Sequence, residues 1–68
     1  MKVSLKALRV NANMNQKKAS KLIGITSKTL QNWENGATFP NGAQLIKLCR
    51  IYDCSLNDIF LPDTLTKS

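Results

Sequence analysis

Ser27, Lys28, Thr29, Gln31 and Asn32 bring a cation, two amides and two hydroxyls into one short segment. Such groups do not break bonds unaided; they donate and accept hydrogen bonds, and the lysine adds a positive charge. Their chemistry is recognition. Residues suited to covalent work are scarce elsewhere. Histidine is absent, Glu34 is the sole glutamate, and neither Cys49 nor Cys54 stands beside a plausible base. An enzyme is therefore not expected. A four-ligand zinc site would need carboxylates or a second chain to complete it, so no metal or other cofactor is implied. Both cysteines fall at apolar positions of a helical pattern, where Cys serves as a small hydrophobe.

Charge narrows the partner. Lys2, Lys6, Arg9, Lys17, Lys18, Lys21 and Lys28 all precede the first acid, Glu34, and the net charge is +6. A one-sided positive field raises the local concentration of a polyanion and steers its approach. A membrane is a poorer match. No apolar run nears the ~20 residues of a bilayer span, and no helix sets a lysine-rich face against a broad aromatic one. The start, Met1 to Leu5, lacks the apolar core of a signal peptide, which predicts a cytoplasmic protein. With 68 residues, 43% of them hydrophobic, the chain is expected to form one domain with an ordinary core.

Apolar spacing and punctuation predict five short helices and an all-α class. Ser4 caps the first, with Leu5, Leu8 and Ala12 at helical spacing and Asn13 free to take the left-handed conformation that ends it. Asn15 caps the second, Gln16 to about Ile23, expected to bury Ala19, Leu22 and Ile23 before Gly24 stops it. Thr26 caps the third, Ser27 to about Asn35, ended by Gly36. Asn41 caps the fourth after a loop holding Pro40, and Leu45, Ile46, Leu48, Cys49 and Tyr52 form its apolar face. Ser55 with Asp58 resembles a capping box for a fifth helix through Leu56, Ile59 and Phe60. Residues 1–61 make the domain, and 62–68 a short polar tail.

On the third helix, at about 100° per residue, Leu30 and Trp33 set the inward direction. Lys28, Gln31 and Asn32 then point away, with Ser27 and Thr29 at the flanks. Lysine can donate to guanine acceptors, asparagine can pair with adenine, and hydroxyls can serve several bases in a major groove. The second helix begins at Asn15-Gln16 with unpaired N–H groups and the positive end of its dipole, an arrangement that binds phosphate. Asn35, Thr38 and Asn41 supply small donors beyond the other end of the third helix. Phosphate contacts at both ends would set the register of the reading helix.

These residues resemble the helix-turn-helix domain of the lambdoid phage repressor and Cro group. The resemblance runs from about Leu5 to Phe60. It is carried by Leu8-Arg9, Asn15-Gln16, Gly24-Ile25-Thr26, Trp33-Glu34-Asn35-Gly36, Pro40, Leu45-Ile46-Lys47-Leu48 and Ser55-Leu56-Asn57-Asp58-Ile59-Phe60. It implies a compact five-helix bundle that binds duplex DNA, often as a dimer on a near-palindromic operator, in a transcription regulator, in particular a repressor of phage, mobile-element or bacterial origin. By position, Ser27, Lys28 and Asn32 are then the base contacts, with Thr29 or Gln31 in support, and Gln16 and Asn35 contact phosphate. Arg9 and Glu34 occupy positions that form a structural ion pair in similar proteins.

Two departures from the family pattern bear on packing. Ala19-Ser20 stands where Leu-Ala is usual, so a hydroxyl enters the tight helix–helix contact, and Trp33 and Tyr52 are candidates to refill the lost volume. Asp53 replaces the usual Gly or Asn at a position that often needs positive φ. The competing function is a protein-interaction module, such as an antitoxin or anti-regulator, which would have little use for a basic, acid-free face. The length leaves no room for a separate oligomerisation or ligand-sensing domain. A homodimer would therefore use Leu56, Phe60, Leu61 and Leu65, or form only on DNA.

Overall fold

The four helix starts share one device. In the computed structural model, which describes residues 3–60, the helices are α1 (Leu5–Asn11), α2 (Gln16–Ile23), α3 (Ser27–Asn35) and α4 (Gly42–Tyr52). Each is preceded by an extended residue whose side-chain oxygen accepts an otherwise unpaired backbone N–H. Ser4 takes Ala7 N at 3.1 Å, Asn15 takes Lys18 N at 2.8 Å, Thr26 takes Thr29 N at 3.1 Å and Asn41 takes Gln44 N at 2.8 Å. Such a cap contributes about 1 kcal/mol. At α4 the exchange is reciprocal, because Gln44 Oε1 accepts Asn41 N at 2.8 Å.

The helix ends are equally local. Asn13 (φ 60°), Gly24 (φ 90°), Gly36 (φ 81°) and Asp53 (φ 54°) all adopt the left-handed conformation. At Gly24 the constraint is the backbone rather than space, since an added Cβ would approach nothing nearer than Lys47 Nζ at 3.8 Å. A side chain there costs roughly 1–2 kcal/mol through φ alone.

Leu5, Leu8, Ala19, Ile23, Leu30, Trp33, Leu48, Tyr52 and Ile59 form the core, joined at its edge by Val3, Ala12, Met14, Ile25, Leu45, Cys49, Ile51 and Cys54. Ala19, Leu30 and Leu48 lose all solvent contact. α2 lies between α3 and α4, and α1 packs on α3. Trp33 and Tyr52 both lie in the cluster that contains the small Ala19. The predominantly helical class holds.

Three expectations need correction. The fifth helix is only a 3-10 turn, Leu56–Asp58, followed by an extended β2 (Ile59–Phe60). β2 pairs in parallel with β1 (Val3–Ser4), placing Val3 beside Ile59 and Ser4 beside Phe60. Asp58 Oδ2 accepts from Ser55 N and Ser55 Oγ at 3.2 and 3.1 Å, which ties the turn to itself and leaves Ile59 to extend toward Val3. The described residues thus form four α-helices, and a two-residue bridge joins the beginning of the described chain to its end.

Leu22, expected inside, is 47% exposed. The buried arc of α2 runs from Ala19 through Ile23 to Ser20, and Leu22 falls about 100° outside its centre. Ala19 and Ser20 are both buried, and Ser20 Oγ lies 3.2 Å from Ser27 Oγ, so this face of α2 is the one turned toward α3. Ile46 is 50% exposed for a similar reason. Leu48 and Tyr52 point α4 inward, which turns Ile46 toward Ala43, Lys47 and Arg50 around a shallow surface depression. Leu56 is exposed, while the Phe60 side chain, Leu61, Leu65 and the tail 62–68 lie outside the described residues.

Candidate nucleic-acid interface

The turn between α2 and α3 is short because both its ends are fixed by backbone chemistry. Gly24 N and Ile25 N both donate to Ser20 O, at 2.8 and 3.0 Å, and Thr26 immediately caps α3. Ile25 is half-buried, and the turn joins two helices that pack on one another. α3 buries Leu30 and Trp33 and turns its opposite face to solvent.

On that outer face the residues singled out from the sequence fall into two sets. Lys28 and Gln31 are exposed and Asn32 is half-exposed; Asn35, the last residue of the helix, and Thr38 in the loop after it are exposed. The side chains of these five make no hydrogen bond among the described residues, so their donors are uncommitted. The Asn32 backbone is engaged instead, its carbonyl accepting Ala37 N at 2.9 Å and Thr38 N at 3.4 Å, which folds the following loop back over the helix end.

The other five are already bonded. Asn15 and Asn41 accept on Oδ1 as caps and keep their amide N–H groups free to donate. Thr29 Oγ1 pairs with Thr26 Oγ1 at 2.8 Å. Ser27 Oγ lies 3.2 Å from the buried Ser20 Oγ. Gln16 Nε2 donates to Glu34 Oε1 at 3.0 Å, leaving one amide N–H and its oxygen for a ligand. The Gln16 and Ser27 contacts were not anticipated. A polar residue at the close helix–helix contact, Ser20, was the sequence signal for the second.

Glu34 is the centre of the electrostatics. Its Oε2 accepts Arg9 Nε at 2.7 Å, and its Oε1 accepts Arg9 Nη2 at 3.3 Å as well as Gln16 Nε2. Arg9 Nη1 donates onward to Met14 O at 2.9 Å. The hydrogen bond to Glu34 holds the Arg9 guanidinium protonated, its pKa raised further despite burial. A carboxylate at the C-terminal end of α3 faces the negative end of the helix dipole, and Arg9 offsets that. The same pairing removes the only acid from the basic half of the surface. Lys6, Lys17, Lys18, Lys21 and Lys28 are all exposed there. The other acids among the described residues, Asp53 and Asp58, come later in the chain.

Other chemistry is poorly supplied. Among the described residues no three His, Cys, Asp or Glu side chains gather as a metal site, and no helix is long and apolar enough to cross a membrane. Cys49 and Cys54 are free and half-buried, and burial together with Cys49 pushes the Cys54 thiol up to about 11.

A capped helix, a glycine turn and a second helix with free polar side chains on a basic face define a helix-turn-helix DNA-binding domain. The chain belongs to the helix-turn-helix family, in its repressor/Cro (XRE-like) branch, and the family's sequence profile matches residues 5–59. It is 29% identical over 63 residues to an uncharacterised HTH-type transcriptional regulator of Archaeoglobus fulgidus, an alignment covering 93% of this chain and 89% of that protein. No solved structure matches the sequence.

Proposed function

We propose that this protein is a sequence-specific regulator of transcription that reads the major groove of duplex DNA with α3 and represses by occupying an operator. The observation that carries the reading is the outer face of α3, where Lys28, Gln31 and Asn32 keep uncommitted donors on a surface whose one acid is neutralised by Arg9. Lys28, Asn32 and Ser27 are the principal base contacts, with Thr29 and Gln31 beside them. Asn15 and Gln16 at the start of α2, Asn35 at the end of α3, and Thr38 and Asn41 beyond it hold the phosphates on either side. The family membership and the regulator relative support this assignment.

A palindromic operator requires two copies, and the exposed Leu56 belongs to the surface that would join them. Selection from random duplex DNA, followed by titration of the winning sequence at several salt concentrations, tests the reading. One enriched motif should emerge, with its half-sites about 10 base pairs apart if the protein binds as a dimer. Affinity should fall steeply between about 50 and 200 mM salt, as phosphate contacts release counterions. Weak, salt-insensitive binding without an enriched motif would instead favour a protein-interaction module.

A further inference from the structure

We propose that Ser20, a buried residue that cannot reach DNA, sets the base preference of Ser27 by taking its proton. The inference rests on α3 as the base-reading helix. Ser20 is 4% exposed and sits where α2 meets α3. Its Oγ lies 3.0 Å from Lys17 O and 3.2 Å from Ser27 Oγ.

Each serine hydroxyl carries one proton. The Lys17 carbonyl can only accept, so the shorter of the two contacts takes the Ser20 proton. The remaining contact is then a hydrogen bond only if Ser27 is its donor. A buried hydroxyl stripped of a partner is costly, which favours the single assignment that satisfies both contacts. Ser27 is exposed at the first position of α3, and with its proton directed inward it presents lone pairs alone. Donation to Ser20 also polarises the Ser27 oxygen and makes it a better acceptor.

An acceptor-only group in the major groove selects an exocyclic amino group. Adenine N6 and cytosine N4 offer one; guanine and thymine present acceptors at the corresponding edge. In the major groove each base pair presents an amino group from one strand only. Ser27 would therefore distinguish a base pair from the same pair inverted, a discrimination that an unconstrained serine, able to donate or accept, makes poorly. The second helix thus contributes to specificity from inside the fold.

The test uses the full chain and three proteins: wild type, Ser27→Ala and Ser20→Ala. Random-duplex selection with wild type and Ser27→Ala locates the position that depends on Ser27. That position should carry adenine or cytosine on the contacted strand. Synthetic operators then replace that base by its analogue lacking the amino group, purine for adenine or 2-pyrimidinone for cytosine. Wild type should lose roughly 2- to 12-fold in affinity, the range of one net hydrogen bond, and Ser27→Ala should lose none. Ser20→Ala, which frees the Ser27 proton, should admit guanine or thymine there, shrinking the wild-type discrimination against those two bases by a similar factor. Affinity for the parent operator should stay within about 2-fold.

Guanine or thymine at the Ser27-dependent position, indifference of wild type to loss of the amino group, or undiminished rejection of guanine and thymine by Ser20→Ala would each overturn the inference while leaving DNA recognition by α3 intact. The first two outcomes are read on wild-type protein and do not depend on how Ser20→Ala folds. Absence of any enriched duplex would instead sink the parent reading, and this one with it.

Discussion

Arg9 and Glu34, 25 residues apart in sequence, meet at 2.7 Å with side chains only 10% and 3% exposed. The pair ties α1 to the end of α3, and Gln16 adds α2 through Glu34 Oε1. Removing one partner leaves the other charged and buried. Arg9→Ala or Glu34→Ala should each cost about 3–5 kcal/mol, a large share of the roughly 5–15 kcal/mol by which a small domain is stable. The paired replacement Arg9→Met with Glu34→Leu should recover most of that loss, because two apolar side chains leave no orphaned charge. Urea denaturation of the three variants checks this, and equal instability of the double variant would show that the pair is more than self-compensating.

The capped helices were legible because their signals are local. Ser4, Asn15, Thr26 and Asn41 announce helix starts, and Asn13, Gly24 and Gly36 announce ends, through interactions spanning a few residues. What the sequence concealed depends on partners distant along the chain. The extended pairing of Ile59 with Val3 joins residues 56 apart in number, and a capping-type Ser55-Asp58 pair gives no sign that a strand follows. Leu22 and Ile46 were misplaced because apolar character says only that a residue can be buried. Which residues are buried depends on which face each helix turns inward, and here Ala19, Ser20 and Ile23 take that face of α2 and Leu48 and Tyr52 that of α4. The outward set on α3 was readable from the wheel, whereas the prior engagement of Gln16 and Ser27 required three dimensions.

Lys28 and Asn32, with free side chains on the outer α3 face, should behave differently from the lysines of α2. Lys28→Ala and Asn32→Ala should each lose about 1–3 kcal/mol of discrimination at particular operator positions and bind altered bases there almost as well as the parent base. Lys17→Ala or Lys18→Ala, on the exposed side of α2, should weaken all sequences alike and reduce the salt slope by about one. Titrations against the selected operator and its single-base variants, repeated across salt, separate these patterns. Uniform loss in Lys28→Ala and Asn32→Ala would remove both residues from the base-reading set.

Tyr52 is 6% exposed, and its hydroxyl is buried without a hydrogen-bond partner among the described residues. Burying an unpaired hydroxyl costs stability, while the ring fills space between α4 and the rest of the core. Tyr52→Phe keeps the ring and deletes the cost, so it should stabilise the fold by about 1 kcal/mol. Tyr52→Ala should do the opposite, by about 3–5 kcal/mol, as the cavity opens. Matched thermal and urea unfolding measures both, and a destabilised Phe variant would mean that the hydroxyl is in fact bonded.

Alkali should weaken the fold through two identifiable groups. Burial pushes the Tyr52 hydroxyl from 10.0 to about 12, with Glu34 adding to it, and burial with the neighbouring Cys49 pushes the Cys54 thiol from 9.0 to about 11. Both are acids held neutral in the folded state, so above pH 9 the unfolded chain releases protons that the folded chain retains. By linkage, stability is then lost as pH rises through that window and is unaffected by these groups well below it. In reducing buffer the urea midpoint of the wild type should fall between about pH 9 and 12, and more steeply than that of Tyr52→Phe or Cys54→Ala. The same shift predicts that Cys54 alkylates more slowly than an unfolded cysteine at neutral pH, since the thiolate is the reactive form. Parallel midpoint curves for all three proteins, with alkylation at the unfolded rate, would show that neither group is held neutral by the fold.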